Sequence, residues 1–257
     1  MSTTLPSTIA EVIKKLDLII QETIEANNHL GIFAYVYRRT TAKIQESIVE
    51  KRFEDNERME KFDVVFANRY IDAYENYKLQ RPISKSWRSA FEAKDKPFTI
   101  IQHLMMGMNA HISFDLGIAA AEFVLGEKID SLENDFMSVN QILKEITNEM
   151  QDRVSKVSRL MFLLDWIGKE KDEKVINFGI VKSRQFAWEV ANGIAILELN
   201  KNAKNILIEK TDNTVAAFNK MIQQPPSKIL NFALRIVYFF EEKNIGKIIS
   251  QLRKADV

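Results

Sequence analysis

PFTIIQHLMMGMNAHISFDLGIAAAEFVL, from Pro97 to Leu125, is the one run in the chain long and apolar enough to be taken for a membrane span. It carries His103, His111, Asp115 and Glu122. Each of these is costly at membrane depth unless it faces a protein interior, and no second comparable run exists to supply one. The stretch therefore reads as a buried central helix, with Pro97 in its first turn and Gly126 at its end. A helix that is apolar on every side needs other helices around it, and the rest of the chain offers them.

Eight Gly and five Pro in 257 residues leave long segments of helical period. Ser7 is the expected cap of a first helix to about Asn28, with Ile9, Val12, Ile13, Leu16, Ile19, Ile20 and Ile24 at spacings of three and four. A second helix is expected from Ile32 to Arg52, and a third from an Asp55 cap to Gln80 with Met59, Phe62, Phe66, Tyr70 and Tyr74 inward. A short helix from Lys85 to Ala93 presents Trp87 and Phe91. Beyond the centre, helices are expected at 131–168, broken near Ser155, then at 173–199 and 211–223, with two more after Pro225-Pro226. The expectation is all-α: one bundle of about eight to ten helices around residues 97–125. It forms a single domain over 1–257, with candidate seams at 168–172 and 223–226.

Composition narrows the function. Thirty-six Lys and Arg against 35 Asp and Glu give a net charge of +1, with no excess to draw nucleic acid or an anionic membrane. Without Cys there is no thiolate metal site, disulfide or cysteine nucleophile. Tyr37, Arg38 and Arg39 form a small stacking-and-phosphate pattern, but two adjacent Arg on a helix are ordinarily a solvated face and no nucleic-acid motif accompanies them. Phosphate-loop, dinucleotide, nucleophile-elbow and zincin motifs are absent. The polar Met1–Ala10 has no basic and apolar regions of a signal peptide, so a cytoplasmic location is expected.

One stripe of the central helix carries chemistry. At about 100° per residue, His111, Asp115 and Glu122 fall within roughly 40° of one another. His111 and Asp115, four apart, reach a shared ion or a shared hydrogen bond. Gly107, one turn earlier, is costly in a helix interior and signals a ligand or a helix close to the backbone. Three readings stand: a structural His–Asp pair, half of a divalent metal centre for Zn or Fe with Glu122 as a third ligand, or a metal-free acid/base pocket. His103 lies about 80° away and is expected to pack, and His29 to sit at a helix junction. Further polar residues inside apolar helices, Asp63, Arg69, Arg184 with Trp188, and Asp165, are either buried ion pairs or converge on the dyad.

Gly107 to Leu116, G-M-N-A-H-I-S-F-D-L, resembles the G-x-N-A-H-I-x-x-D-L signature of an uncharacterised, mostly bacterial family of helical proteins, a domain of unknown function. The likeness extends through Phe33-Ala34, Tyr37-Arg38, Arg58-Met59, Asp63, Arg69-Tyr70, Trp87, Arg184 and Ala187-Trp188, to about Asn200. It implies no activity. It adds Asp63, Arg69, Tyr70, Asn109, Arg184 and Trp188 to His111 and Asp115 as family positions, and leaves Glu122 and His103 outside the pattern. These six are the expected substrate-binding residues, with Arg184 pairing with a carboxylate or an anionic substrate group. The resulting expectation is a small-molecule site on the central helix. His111 is metal ligand or general base and Asp115 is second ligand or orienting carboxylate, with hydrolysis, oxidation or metal-free proton transfer as the chemistry. Asn109 faces away and holds a neighbouring segment. The alternative is a non-catalytic helical scaffold in which the pair is structural. A site needs a pocket beside His111, whereas a structural network is closed and fully hydrogen-bonded. The segment after Pro225 is left to packing or self-association into a homo-oligomer.

Overall fold

A computed structural model describes residues 5–124, 129–158 and 172–254. Counting the central helix once, ten helices and no strand occur among the described residues. They are α1 (Ile9–Glu25), α2 (Leu30–Val49), α3 (Asn56–Lys78) and α4 (Lys85–Phe91), then the central helix as α5 (Ile100–Met108), a π-helical segment (Asn109–Asp115) and α6 (Leu116–Phe123). A short 3-10 turn (Ile129–Leu132) leads into α7 (Glu133–Val157), followed by α8 (Asp172–Ile196), α9 (Lys201–Gln223), α10 (Lys228–Phe240) and α11 (Ile245–Lys254).

The starts of these helices are written in side-chain oxygens. Thr8, one residue later than expected, accepts from the Glu11 N–H, while Ser7 donates to the Glu11 carboxylate. Asp55 caps α3 and Ser84 caps α4. The central helix begins at Thr99 with a capping box completed by Gln102, so Pro97 lies ahead of the first turn rather than in it. The helix expected from 211 begins ten residues earlier, because the Asn200 side chain accepts from the Ala203 N–H. Gly126, Asp165 and most of the 168–172 seam lie outside the described residues.

Around the centre, α2 and α4 pack on α5, and α6 lies between α3 and α8. The π segment touches α3, α4, α8 and α9. Two glycines allow these approaches. A Cβ on Gly107 would sit 2.5 Å from Cγ of Phe33, so the group that comes close there is an aromatic ring of α2. A Cβ on Gly117 would sit 2.6 Å from the carbonyl oxygen of Ala187, so α6 and α8 meet there backbone to backbone. Leu30 to Tyr37 are buried without a break, so the first half of α2 is interior, and its ring-bearing residues meet the central helix there.

Candidate functional site

The central helix changes geometry where its sequence turns polar. In the π segment the Leu116 N–H bonds to the carbonyl of His111, five residues back, rather than four. Such turns are rare, and those that occur are frequently at functional sites. A π turn takes about one residue more than an α turn. Glu122 follows Asp115 by seven residues and shares Arg69 with it. Its side chain is 45% exposed and is held by Arg69 at 2.8 Å, on the surface.

His111 and Asp115 do meet. Nδ1 of His111 lies 3.1 Å from Oδ2 of Asp115. Trp87, brought in by the short α4, donates its indole N–H to the same oxygen at 2.8 Å. Arg69 of α3 places Nε 3.6 Å from the other oxygen, Oδ1. An ionised carboxylate only accepts, so the proton between the two side chains belongs on Nδ1, and Nε2 keeps its lone pair. Both residues are 2% exposed. Burial pushes the imidazole below its usual 6.5, with the Asp115 hydrogen bond opposing, so His111 is neutral at physiological pH.

Aromatic rings enclose the imidazole. Phe66 stacks on it with centroids 3.8 Å apart, Tyr37 meets it edge-on at 4.4 Å, and Phe33, Tyr70 and Trp87 complete the ring at about 6 Å. Nε2 has no hydrogen-bond partner among the described residues, and neither has the Tyr70 hydroxyl or Oδ2 of Asp63. An unpaired buried polar atom costs about 1–3 kcal/mol, so such atoms in and beside the dyad are not what a closed structural network contains.

Beside the dyad lies a cavity of about 380 Å³. It is bounded by α2, α3, the central helix, α7, α8 and α9, and its walls are mostly aliphatic and aromatic. His111, Asp63, Asn109 and Arg184 supply polar groups on those walls. Desolvation raises the Asp63 carboxyl from 3.8 to about 7. Asn109 turns its amide to α9, donating to the Val215 carbonyl and to Asn219 at 3.0 Å each, the holding role expected of it. Arg184 is 4% exposed. Its Nε donates to Asn140 at 2.7 Å, Nη2 donates to the Phe136 carbonyl, and the guanidinium lies 4.3 Å above the Phe136 ring. Trp188 packs on the same ring and lies apart from the dyad.

Of the expected residues, His111, Asp115, Arg69 and Tyr70 therefore converge, and Asp63, Asn109 and Arg184 share the cavity wall with His111. Glu122 reaches the dyad only through Arg69, and Trp188 stands elsewhere. No group of three or more His, Cys, Asp or Glu placed to hold a metal occurs among the described residues. The donor set expected for Zn or Fe is not assembled, because Asp115 spends its oxygens on Trp87, His111 and Arg69, and Glu122 is drawn to the surface. His103 stacks on His29 at 4.7 Å, and His29 bonds the Lys94 carbonyl. Arg38 and Arg39 pair with Asp17 and Glu149, leaving Tyr37 in the core. The residues that sequence reasoning missed are Trp87 as the donor to Asp115 and Phe66 as the stacking partner of His111. Trp87 had been seen as an apolar anchor of α4, and only its indole N–H, which needs an acceptor when buried, hinted at more.

Comparison with known proteins gives a family and nothing finer. The family model described as a family of unknown function (DUF5995) matches residues 9–225, the greater part of the chain. No curated protein and no solved structure matches. No helix among the described residues is long and apolar enough to cross a membrane.

Proposed function

The chain belongs to this family of unknown function, and from its own geometry we propose that it binds a small, largely apolar molecule in the cavity beside the central helix, with the His111–Asp115 dyad as the proton-accepting group on the wall. One observation carries the reading: His111, a neutral imidazole held through Nδ1 by a carboxylate and with its buried Nε2 unpartnered, is one of the residues lining a 380 Å³ mostly apolar cavity. A pocket of that size with few polar groups is the usual form of a small-molecule site. Asp115 fixes the tautomer and Trp87 and Arg69 fix Asp115, so the arrangement is that of an oriented general base. The chemistry it supports is metal-free proton transfer. The cavity side of the imidazole is sheathed in aromatic rings, and a ligand that reaches Nε2 is one that packs against Phe66 and Tyr37.

The second reading, a helical scaffold with a structural pair, is favoured by the two hydrogen bonds and the ion pair that close around Asp115. Binding separates the two. Thermal denaturation of the wild type with an uncharged apolar probe, naphthalene or 1-decanol, should show a saturable rise in the midpoint. The variant Leu104→Trp, which places an indole in the cavity, should lose that rise. Absence of stabilisation by every apolar probe, charged or uncharged, in a folded wild type would overturn the proposal and leave the scaffold.

A further inference from the structure

Arg184 is a buried charge without a countercharge. Its guanidinium lies on the cavity wall at 4% exposure, and its two hydrogen bonds go to neutral acceptors, the Asn140 amide oxygen and the Phe136 carbonyl. No carboxylate pairs with it among the described residues. Burial alone moves it down, to about 9, which leaves it protonated at neutral pH. An isolated ion in an apolar interior is strongly unfavourable unless something pairs with it. A guanidinium has five N–H groups, and the two used here leave the Nη1 end free to donate.

Resting on the cavity reading above, we propose that the ligand is a monocarboxylic acid with an apolar body, its carboxylate on Arg184 and its body along the aliphatic and aromatic wall. Three features select that class. Arg184 is the sole Lys or Arg among the described residues lining the cavity, so it balances one negative charge, and a phosphate dianion would leave a second charge buried and unpaired. The planar end of a guanidinium fits the planar carboxylate. Most of the remaining wall, including Phe62, Met108, Ile112 and Leu143, is apolar and offers an acyl chain or an aryl group dispersion and burial. Arg184 is held in place by Asn140 and by the face of Phe136, so little side-chain freedom is lost when the acid docks.

The test compares decanoate with 1-decanol by calorimetric titration on the full chain, freed of co-purified lipid. The two probes share an apolar body and differ in charge. Decanoate should bind the wild type at least about tenfold more tightly, the size of one charge-assisted contact. In Arg184→Met that preference should vanish while decanol binding persists, and in Arg184→Lys, which keeps the charge but loses the planar fork, part of it should remain. The wild-type comparison stands even if Arg184→Met does not fold. Equal binding of both probes, lost in Leu104→Trp, would overturn this inference and leave the cavity reading intact. A decanoate preference that survives in folded Arg184→Met would also overturn it, since another cation would be responsible. Failure of both probes to bind would overturn this inference and the cavity reading together.

Discussion

His111 is neutral because it is buried, and it is oriented because Asp115 is held by Trp87 and Arg69. Its folded-state affinity for a proton lies below that of an exposed imidazole, with an ordinary value of 6.5, so below that pH the unfolded chain binds the proton more readily. Stability present above about pH 6.5 should therefore fall as pH drops through that value. His29 and His103 shift in the same direction, the latter to about 3, while the Asp63 carboxyl, raised to about 7, works in the opposite direction, so the wild-type slope is a sum over these groups. The difference between wild type and His111→Gln isolates the His111 part, and chemical denaturation from pH 7.5 to 5 should show a shallower acid-side loss in the variant. Nitrogen NMR of the ring should show the proton on Nδ1 at pH 7, and a proton on Nε2 or a charged ring would contradict the dyad as described. At this scale the sequence was informative about which polar residues lie inside and silent about their partners. His111 and Asp115 were legible from spacing, because four residues along a helix is a local distance. Trp87 and Arg69 come from other helices, and no local rule places them.

The central helix was legible as an element but not in its local geometry. Its apolar length and its ionisable residues were enough to make it the middle of a bundle, and the surrounding helices bear that out. The π segment was not visible, since nothing in N-A-H-I-S-F-D departs from ordinary helix composition. The segment touches α3, α4, α8 and α9, partners that no local pattern names. Glu122 lies on the same side as Asp115, joined to it by Arg69, but at the surface. Gly107 was correctly read as a close approach, and the structure assigns the approach to Phe33. Gly117, two residues past the dyad, was passed over, yet it is the tighter case because its neighbour is backbone. Gly117→Ala should destabilise by about 2 kcal/mol, since the Ala187 carbonyl moves only with α8. Gly179→Ala, in α8 with nothing within 4 Å of the added methyl, should stabilise by about 0.5–1 kcal/mol. Equal midpoint shifts for the two variants would refute this account of the packing of α6 on α8.

For the molecule as a whole, the family match stops at 225, but the packing does not. Glu241, at the end of α10, accepts from the Ile100 N–H at 2.9 Å and from the Ser158 hydroxyl at 2.6 Å, and so ties the start of the central helix to the end of α7. In α11, Ile245, Ile248, Ile249 and Leu252 are buried against α1, α2 and α7. Of the two roles left open for this region, packing is the one these contacts support. A chain ended after Pro225 should lose cooperative thermal unfolding, because it exposes those apolar faces and frees the first N–H of the central helix. A truncated chain that melts as sharply as the full one would show the last two helices to be appended rather than integral. The seven-residue π segment also has a meaning in the gene. An ordinary helix that loses one codon turns everything downstream by about 100°, whereas a π turn holds one residue in surplus and can give it up by relaxing to α geometry. Deletion of Ile112 is thus an in-frame change that the flanking helices tolerate, and its loss would fall on the spacing between imidazole and carboxylate.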